Sequence, residues 1–315
     1  MRSLWLEDQS LSLREVPKPG KPGEALIKVR LSGICGTDLE MVRGYYPFTG
    51  VLGHEFVGEV MESPEQEWIG KRVVGEINAV CGVCSQCRNG RPTHCENRSV
   101  LGILHRDGVH AEYFTLPVAN LHTVPDSVPD ETAVFTEPLA AALEIQEQVH
   151  IQPTDRILLI GAGRLGQLIA QTLVLTGCEL CVLARHPGQK ALLESRQIRL
   201  ISEQEIQPRA WDVVVEATGS PSGFDLARLA IRPRGTLVLK STYRGEMMVN
   251  WSPFVVDEIT IVGSRCGPFA PALRLLEHRE VDPTILIADR YPLANALEAM
   301  AAAQEPGKLK VLLEP

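Results

Sequence analysis

Ile157-Leu-Leu-Ile160 runs straight into Gly161-Ala-Gly163-Arg164-Leu165-Gly166, and the reading of this stretch decides the architecture. Four consecutive apolar residues followed by glycines read as a buried strand ending in a tight turn. The next residues, Leu165 to Thr176, carry the apolar spacing of a helix. A glycine pattern alone is weak evidence, but a glycine turn between an apolar strand and an amphipathic helix is what a pyrophosphate at a helix N-terminus requires. The turn therefore predicts a dinucleotide site, with Gly161, Gly163, Arg164, Leu165 and Gly166 as its residues.

Working outward, strands are expected at Leu180 to Ala184, Arg199 to Ile201, Asp212 to Ala217, Thr236 to Lys240 and Glu258 to Val262. Strand and helix alternation of this kind builds a doubly wound parallel sheet. Before it, from Ser12 to about Val124, short β-rich runs such as Ala25-Leu-Ile-Lys-Val-Arg-Leu31 and Phe56-Val-Gly-Glu-Val60 alternate with Pro and Gly turns, as in an antiparallel barrel. After Cys266 come a helical stretch from Pro271 to Arg279, the segment from Pro292 to Ala303, and a last strand from Leu309 to Leu313.

The chain has 315 residues, enough for two domains at roughly 150 residues each. Its formal net charge of −8 gives no support to nucleic-acid or anionic-membrane partners. Charged and polar residues interrupt the most apolar region, Ile157 to Ala184, and the first ten residues have no apolar core of a secretory signal, so a cytoplasmic protein with no membrane span is expected. Eight cysteines in such a chain point to metal or catalysis more than to a disulfide framework.

Their spacing is informative. Cys81-Gly-Val-Cys84-Ser-Gln-Cys87, followed by Cys95, places four thiols on one loop where they can surround a tetrahedral structural zinc. An iron–sulfur ligand set is the rival, opposed by the long gap before Cys95 and the lack of a following proline. A second constellation is Gly33-Ile-Cys35-Gly-Thr37-Asp38-Leu-Glu40 with Gly53-His54-Glu55. A catalytic zinc needs mixed protein ligands and an open position, and Cys35 with His54 supplies a thiolate and an imidazole. Taken singly, Cys35 also fits a small buried hydrophobe and His54 a satisfied loop histidine. Asp38 strengthens the metal reading, because a metal-bound histidine usually gives its other N–H to a carboxylate. The Thr37 hydroxyl is spaced to pass a proton beside the metal. Glu137, in Thr136-Glu-Pro-Leu139, is either a further ligand or a helix-start carboxylate. Tyr45, Tyr46 and Phe48 either line a substrate pocket or pack a loop. At the end of the second strand of the parallel sheet, where an NAD site carries an acid, the chain has Ala184, Arg185 and His186. That favours NADP(H) while leaving NAD(H) possible, and Arg185 also fits a solvated loop residue.

Together these segments, with Val214-Val-Glu-Ala-Thr-Gly219 and Lys308-Leu-Lys-Val-Leu312, make the chain resemble the zinc-dependent medium-chain dehydrogenase/reductase superfamily of alcohol, polyol, threonine and glucose dehydrogenases. The resemblance spans essentially the whole chain. It implies a GroES-like β-barrel catalytic domain over residues 1–138, a Rossmann domain over 139–266, and a return to the catalytic domain over 267–315. It places Cys35, His54 and Glu137 on catalytic-zinc positions, Glu55 on a position that is a ligand in some members, Thr37 on the proton-relay hydroxyl and Thr218 in the cofactor site. It further implies two zinc ions per chain, a small-molecule alcohol or carbonyl substrate, and a homodimer or homotetramer. Many members carry a histidine where this chain has Glu40, an acid that points, with the neighbouring aromatics, toward a polyol, sugar or similar secondary alcohol. Two rival readings are a zinc-free quinone or enoyl reductase, which would have no use for both cysteine sets, and a non-catalytic NADPH-binding protein.

Overall fold

A computed structural model of the protein describes residues 1–242 and 246–315. The chain forms two compact units, Met1–Glu137 with Phe269–Pro315, and Pro138–Pro268.

In the first unit the central strand is Ala25–Gly33, whose buried positions alternate with exposed Lys28 and Arg30. It pairs antiparallel with Glu55–Glu62, with Tyr113–Leu116 and with Lys310–Glu314, so residues from both ends of the chain share one sheet. Arg72–Gly75 and Leu121–Thr123 extend that sheet on one side and Ile287–Pro292 on the other. Alternating inward residues let a curved sheet of this kind close over a core. Leu4, Ile34, Leu52, Val311 and Leu313 are buried together there, with Phe48 packed against them. The segment predicted from Pro292 to Ala303 is a single helical turn followed by the helix Ala296–Ala302, and Ala296, Ala299 and Met300 join the same core.

The second unit is a six-stranded sheet in the order Arg199–Leu200, Glu179–Leu183, Arg156–Ile160, Trp211–Glu216, Ile231–Leu239 and Thr260–Gly263, with every pairing parallel. Counted along the chain this is the order three, two, one, four, five, six of a Rossmann sheet, whose switch point lies between Arg156–Ile160 and Trp211–Glu216. Ile157, Leu158 and Leu159 are fully buried, as a parallel strand covered on both faces demands. Trp211 is buried in the core on one face, with the Arg156 guanidinium 4.9 Å from its ring centre.

Two strand starts differ from the sequence expectation by more than one residue. The last strand begins at Thr260 and not Glu258, because Glu258 has φ +51° and donates to Val255 O, closing the helix Ser252–Val256. The fifth begins at Ile231, where the chain leaves the helix Pro221–Ala230 directly into extended backbone. Among the described residues no helix is long and apolar enough to cross a membrane.

Candidate metal centres and dinucleotide site

The four-cysteine loop brings its sulfurs together without joining them. Cys84 Sγ lies 3.5 Å from Cys87 Sγ and 3.8 Å from Cys95 Sγ, and Cys95 Sγ lies 3.5 Å from Cys81 Sγ. A tetrahedral ion with Zn–S bonds of about 2.3 Å would set its sulfurs about 3.8 Å apart, so the loop already has the shape that zinc needs. The electrostatics agree. Backbone N–H groups of Val83 and Cys84 pull the Cys81 thiol down to about 6, whereas burial and its neighbouring thiols push Cys87 up to about 12. Four thiols this close ionise together only around a cation.

The second cluster grows from a helix start. Cys35 precedes the helix Gly36–Val42, and Asp38, in its first turn, accepts the Cys35 backbone N–H at 2.8 Å. This caps the helix and also turns the Asp38 carboxylate inward, where it is fully buried. Across from it, Gly53 takes φ +96°, a turn that glycine tolerates, and delivers His54 and Glu55 to the same place. Donor atoms of Cys35, His54 and Glu55 all lie within 4.8 Å of one another. His54 Nδ1 faces Asp38 Oδ1 at 3.4 Å, which leaves Nε2 for a metal. Burial opposes charge on both partners and is outweighed. The charge of His54 and a bond from His110 hold Asp38 well below the usual carboxylate range, while Asp38 and the Cys35 sulfur raise His54 well above the usual histidine value. A cation therefore suits this pocket, and the donor set fits zinc.

The remaining predicted residues distribute as follows. The Thr37 hydroxyl lies 3.8 Å from Cys35 Sγ. Glu40 pairs at 2.6 Å with Arg43, the residue that follows the same helix. Glu137 lies in the first turn of the helix Thr136–Gln148, partly buried and outside the 4.8 Å donor group. Glu55 is held in a buried ion pair with Lys310 from the C-terminal strand. Tyr45 and Tyr46 are exposed, and Phe48, partly buried, packs against the core. His110, Ser32 and Lys310 are further site neighbours: no motif surrounds Ser32 or His110, Lys310 lies in the Lys308-Leu-Lys-Val-Leu312 run with nothing local to tie it to the site, and only long-range pairing brings the three in.

In the second unit, Gly161 has φ +105° and a Cβ there would meet Ala217 O at 2.9 Å, while one at Gly166 would collide with Gly161 O. A Cβ at Gly163 would meet nothing, so the space before the helix Arg164–Val174 is open, and no side chain caps that helix. Open space in front of uncapped N–H groups suits a pyrophosphate. Thr218 donates through its backbone N–H to Glu216 Oε1 at 2.6 Å and its hydroxyl bonds the same oxygen, which fixes the neighbouring loop. Ala184 is buried, His186 precedes the helix Pro187–Ser195, and Arg185 pairs with Glu203 at 3.2 Å.

Residues 21–126 match the alcohol dehydrogenase GroES-like domain. The chain is 30% identical to a sorbitol dehydrogenase of Halalkalibacterium halodurans over 95% of its length and 93% of that protein. It is 31% identical to an L-galactonate-5-dehydrogenase of Escherichia coli K12 over 90% of its length and 89% of that protein. Among solved structures, a Sinorhizobium meliloti protein assigned as a zinc-binding dehydrogenase and bound to NADP superposes with a TM-score of 0.91 at 28% identity, covering 100% of this chain and 99% of that one.

Proposed function

The chain belongs to the medium-chain dehydrogenase/reductase superfamily, in its zinc-dependent alcohol and polyol dehydrogenase branch, and from that membership we propose that it transfers a hydride between NADP(H) and a secondary alcohol, polyol or sugar, or the matching carbonyl. The observation that carries this reading is the convergence of Cys35, His54 and Glu55 donors, with a carboxylate behind the histidine and a hydroxyl beside the sulfur.

Cys35 and His54 would hold the catalytic zinc, Glu55 or Glu137 would supply a further donor, and Cys81, Cys84, Cys87 and Cys95 would hold a second, structural zinc. When bound, zinc supplies a Lewis acid for the substrate oxygen and the nicotinamide supplies or accepts the hydride. Asp38 fixes the His54 ring with its Nδ1–H pointing inward. Thr37 moves the substrate hydroxyl proton toward solvent. Glu40, paired with Arg43, takes the place where many family members carry a histidine. Gly161, Gly163 and Gly166 let the first turn of the helix beginning at Arg164 approach the pyrophosphate, with Leu165 and Thr218 beside it. Ala184 leaves room for a 2′-phosphate that Arg185 and His186 would contact, so NADP(H) is preferred and NAD(H) is the second cofactor. Eight cysteines, several of them metal donors, suit the reducing cytoplasm.

A panel of polyols, aldoses, amino alcohols and simple alcohols, each with NAD⁺ and NADP⁺, tests the reading. Cofactor reduction with at least one polyol or other secondary alcohol, faster with NADP⁺, is expected. Zinc-loaded protein that reduces neither cofactor with any member would refute it.

A further inference from the structure

Behind the Cys35 and His54 cluster lies a second histidine. His110 is fully buried, as are Ser32 and Asp38. Its Nδ1 lies 3.0 Å from Ser32 Oγ and its Nε2 lies 3.5 Å from Asp38 Oδ2, the oxygen that also accepts the Cys35 N–H. The other Asp38 oxygen faces His54 Nδ1. Ser32, His110, Asp38 and His54 thus form one continuous row of polar atoms.

The backbone is shaped around that row. Val109 and His110 donate their N–H groups to Gly53 O and Leu52 O at 3.0 and 2.9 Å, and the His110 carbonyl accepts from Leu4 at 2.8 Å. A Cβ at Gly53 would lie 2.6 Å from His110 Cγ and Nδ1, and one at Gly108 would collide with Leu52 and Gly53. The residue preceding His54 must therefore be glycine for the His110 ring to enter. Among the described residues, His110 Nε2, Asp38 Oδ1 and His54 Nδ1 have no hydrogen-bond partner apart from the contacts within this row. A buried polar atom without a partner costs about 1 to 3 kcal/mol. His110 Nε2 faces Asp38 Oδ2 and His54 Nδ1 faces Asp38 Oδ1, so the two rings hold the carboxylate from either side.

We infer that His110 is a positioning residue for the catalytic metal: with Ser32 fixing its tautomer, it donates through Nε2 to Asp38, and the anchored carboxylate fixes the His54 ring for ligation. Ser32 donates its hydroxyl proton to Nδ1, so that Nε2 carries the hydrogen. The inference rests on the zinc reading of the Cys35 and His54 cluster.

Zinc release to a chromophoric chelator tests it without turnover. Wild-type protein should release zinc in two phases, one of which disappears in Cys35→Ser and so reports the mixed site. His110→Phe keeps a ring and removes both nitrogens. It should speed the Cys35-dependent phase about tenfold or more, leaving the four-cysteine phase and the melting temperature near wild type. Ser32→Ala should give a smaller acceleration, and His110→Gln, which restores a donor to Asp38, should return the rate toward wild type. An unchanged Cys35-dependent phase in His110→Phe overturns the inference alone. So does acceleration of both phases with a lowered melting temperature, which makes His110 part of the fold and not of the site. Wild-type protein without any Cys35-dependent zinc overturns the inference together with the metal reading beneath it.

Discussion

At the end of the strand Glu179–Leu183, the proposed preference for NADP(H) turns on what Arg185 does with its guanidinium. The residue is exposed and paired with Glu203 at 3.2 Å, so a 2′-phosphate must compete with a carboxylate already in contact. Such an exposed pair contributes little to stability, and a phosphate offers the fork a stronger partner. Arg185→Ala is therefore expected to lower kcat/KM for NADP(H) by about 1 to 3 kcal/mol while changing NAD(H) little, and Glu203→Gln to raise NADP(H) use. Equal impairment with both cofactors in Arg185→Ala would show that this strand end does not read the phosphate. A second residue-level prediction concerns Glu24. Burial raises its pKa, but the fork from Arg106, at 2.7 and 2.8 Å, and Lys21 outweigh it and hold the carboxyl at about 2, against an ordinary 4.5. A depressed carboxyl stabilises the fold fully above its unfolded value and loses that contribution as the pH falls toward the folded one. Glu24→Gln should cost about 2 kcal/mol near neutral pH, and urea titrations should find the gap to wild type closing between about pH 5 and about pH 2. A gap that widens with acid would contradict the sign. Residues of this kind differ in how far sequence exposes them. Cys35, Asp38 and His54 announce themselves by local spacing, whereas His110 and Lys310 enter the site only because Gly53, Gly108 and the C-terminal strand bring distant backbone close.

Among the elements, the strand Thr260–Gly263 ends the parallel sheet with one side unpaired among the described residues. Next to it in sequence, Trp251, Val255 and Val256 are exposed. An edge with partly buried Ile261 and Val262 invites pairing, and a two-fold copy would continue the sheet. Light scattering at micromolar concentration should find a dimer or a multiple of it, and Ile261→Lys combined with Val256→Asp should yield monomers. A monomeric wild type would contradict this. The parallel sheet was readable because each strand, turn and helix is local and its glycines sit at fixed offsets. The boundary of the last strand was not, since only the Glu258 turn that closes the preceding helix sets it. The return of Lys310–Glu314 to Ala25–Gly33 follows from the family resemblance alone: no periodicity connects strands so far apart.

For the whole molecule, the two units divide the chemistry, one gathering the metal donors and the other the dinucleotide turn. A net charge of −8 does not attract anionic substrates from a distance, which suits neutral polyols and sugars better than phosphorylated ones. Substrate class is nevertheless the part least written in the sequence, since it depends on which side chains shape a pocket and not on a motif. In the proposed reaction, hydride transfer depends on the Cys35 and His54 metal centre. Its most direct measurement uses a responsive alcohol from the panel, deuterated at the carbinol carbon, with mass analysis of the reduced cofactor. The deuterium should appear at the nicotinamide C4, and Cys35→Ser should abolish the transfer while the dinucleotide still binds. Reduced cofactor without the label, or undiminished transfer in Cys35→Ser, would contradict it.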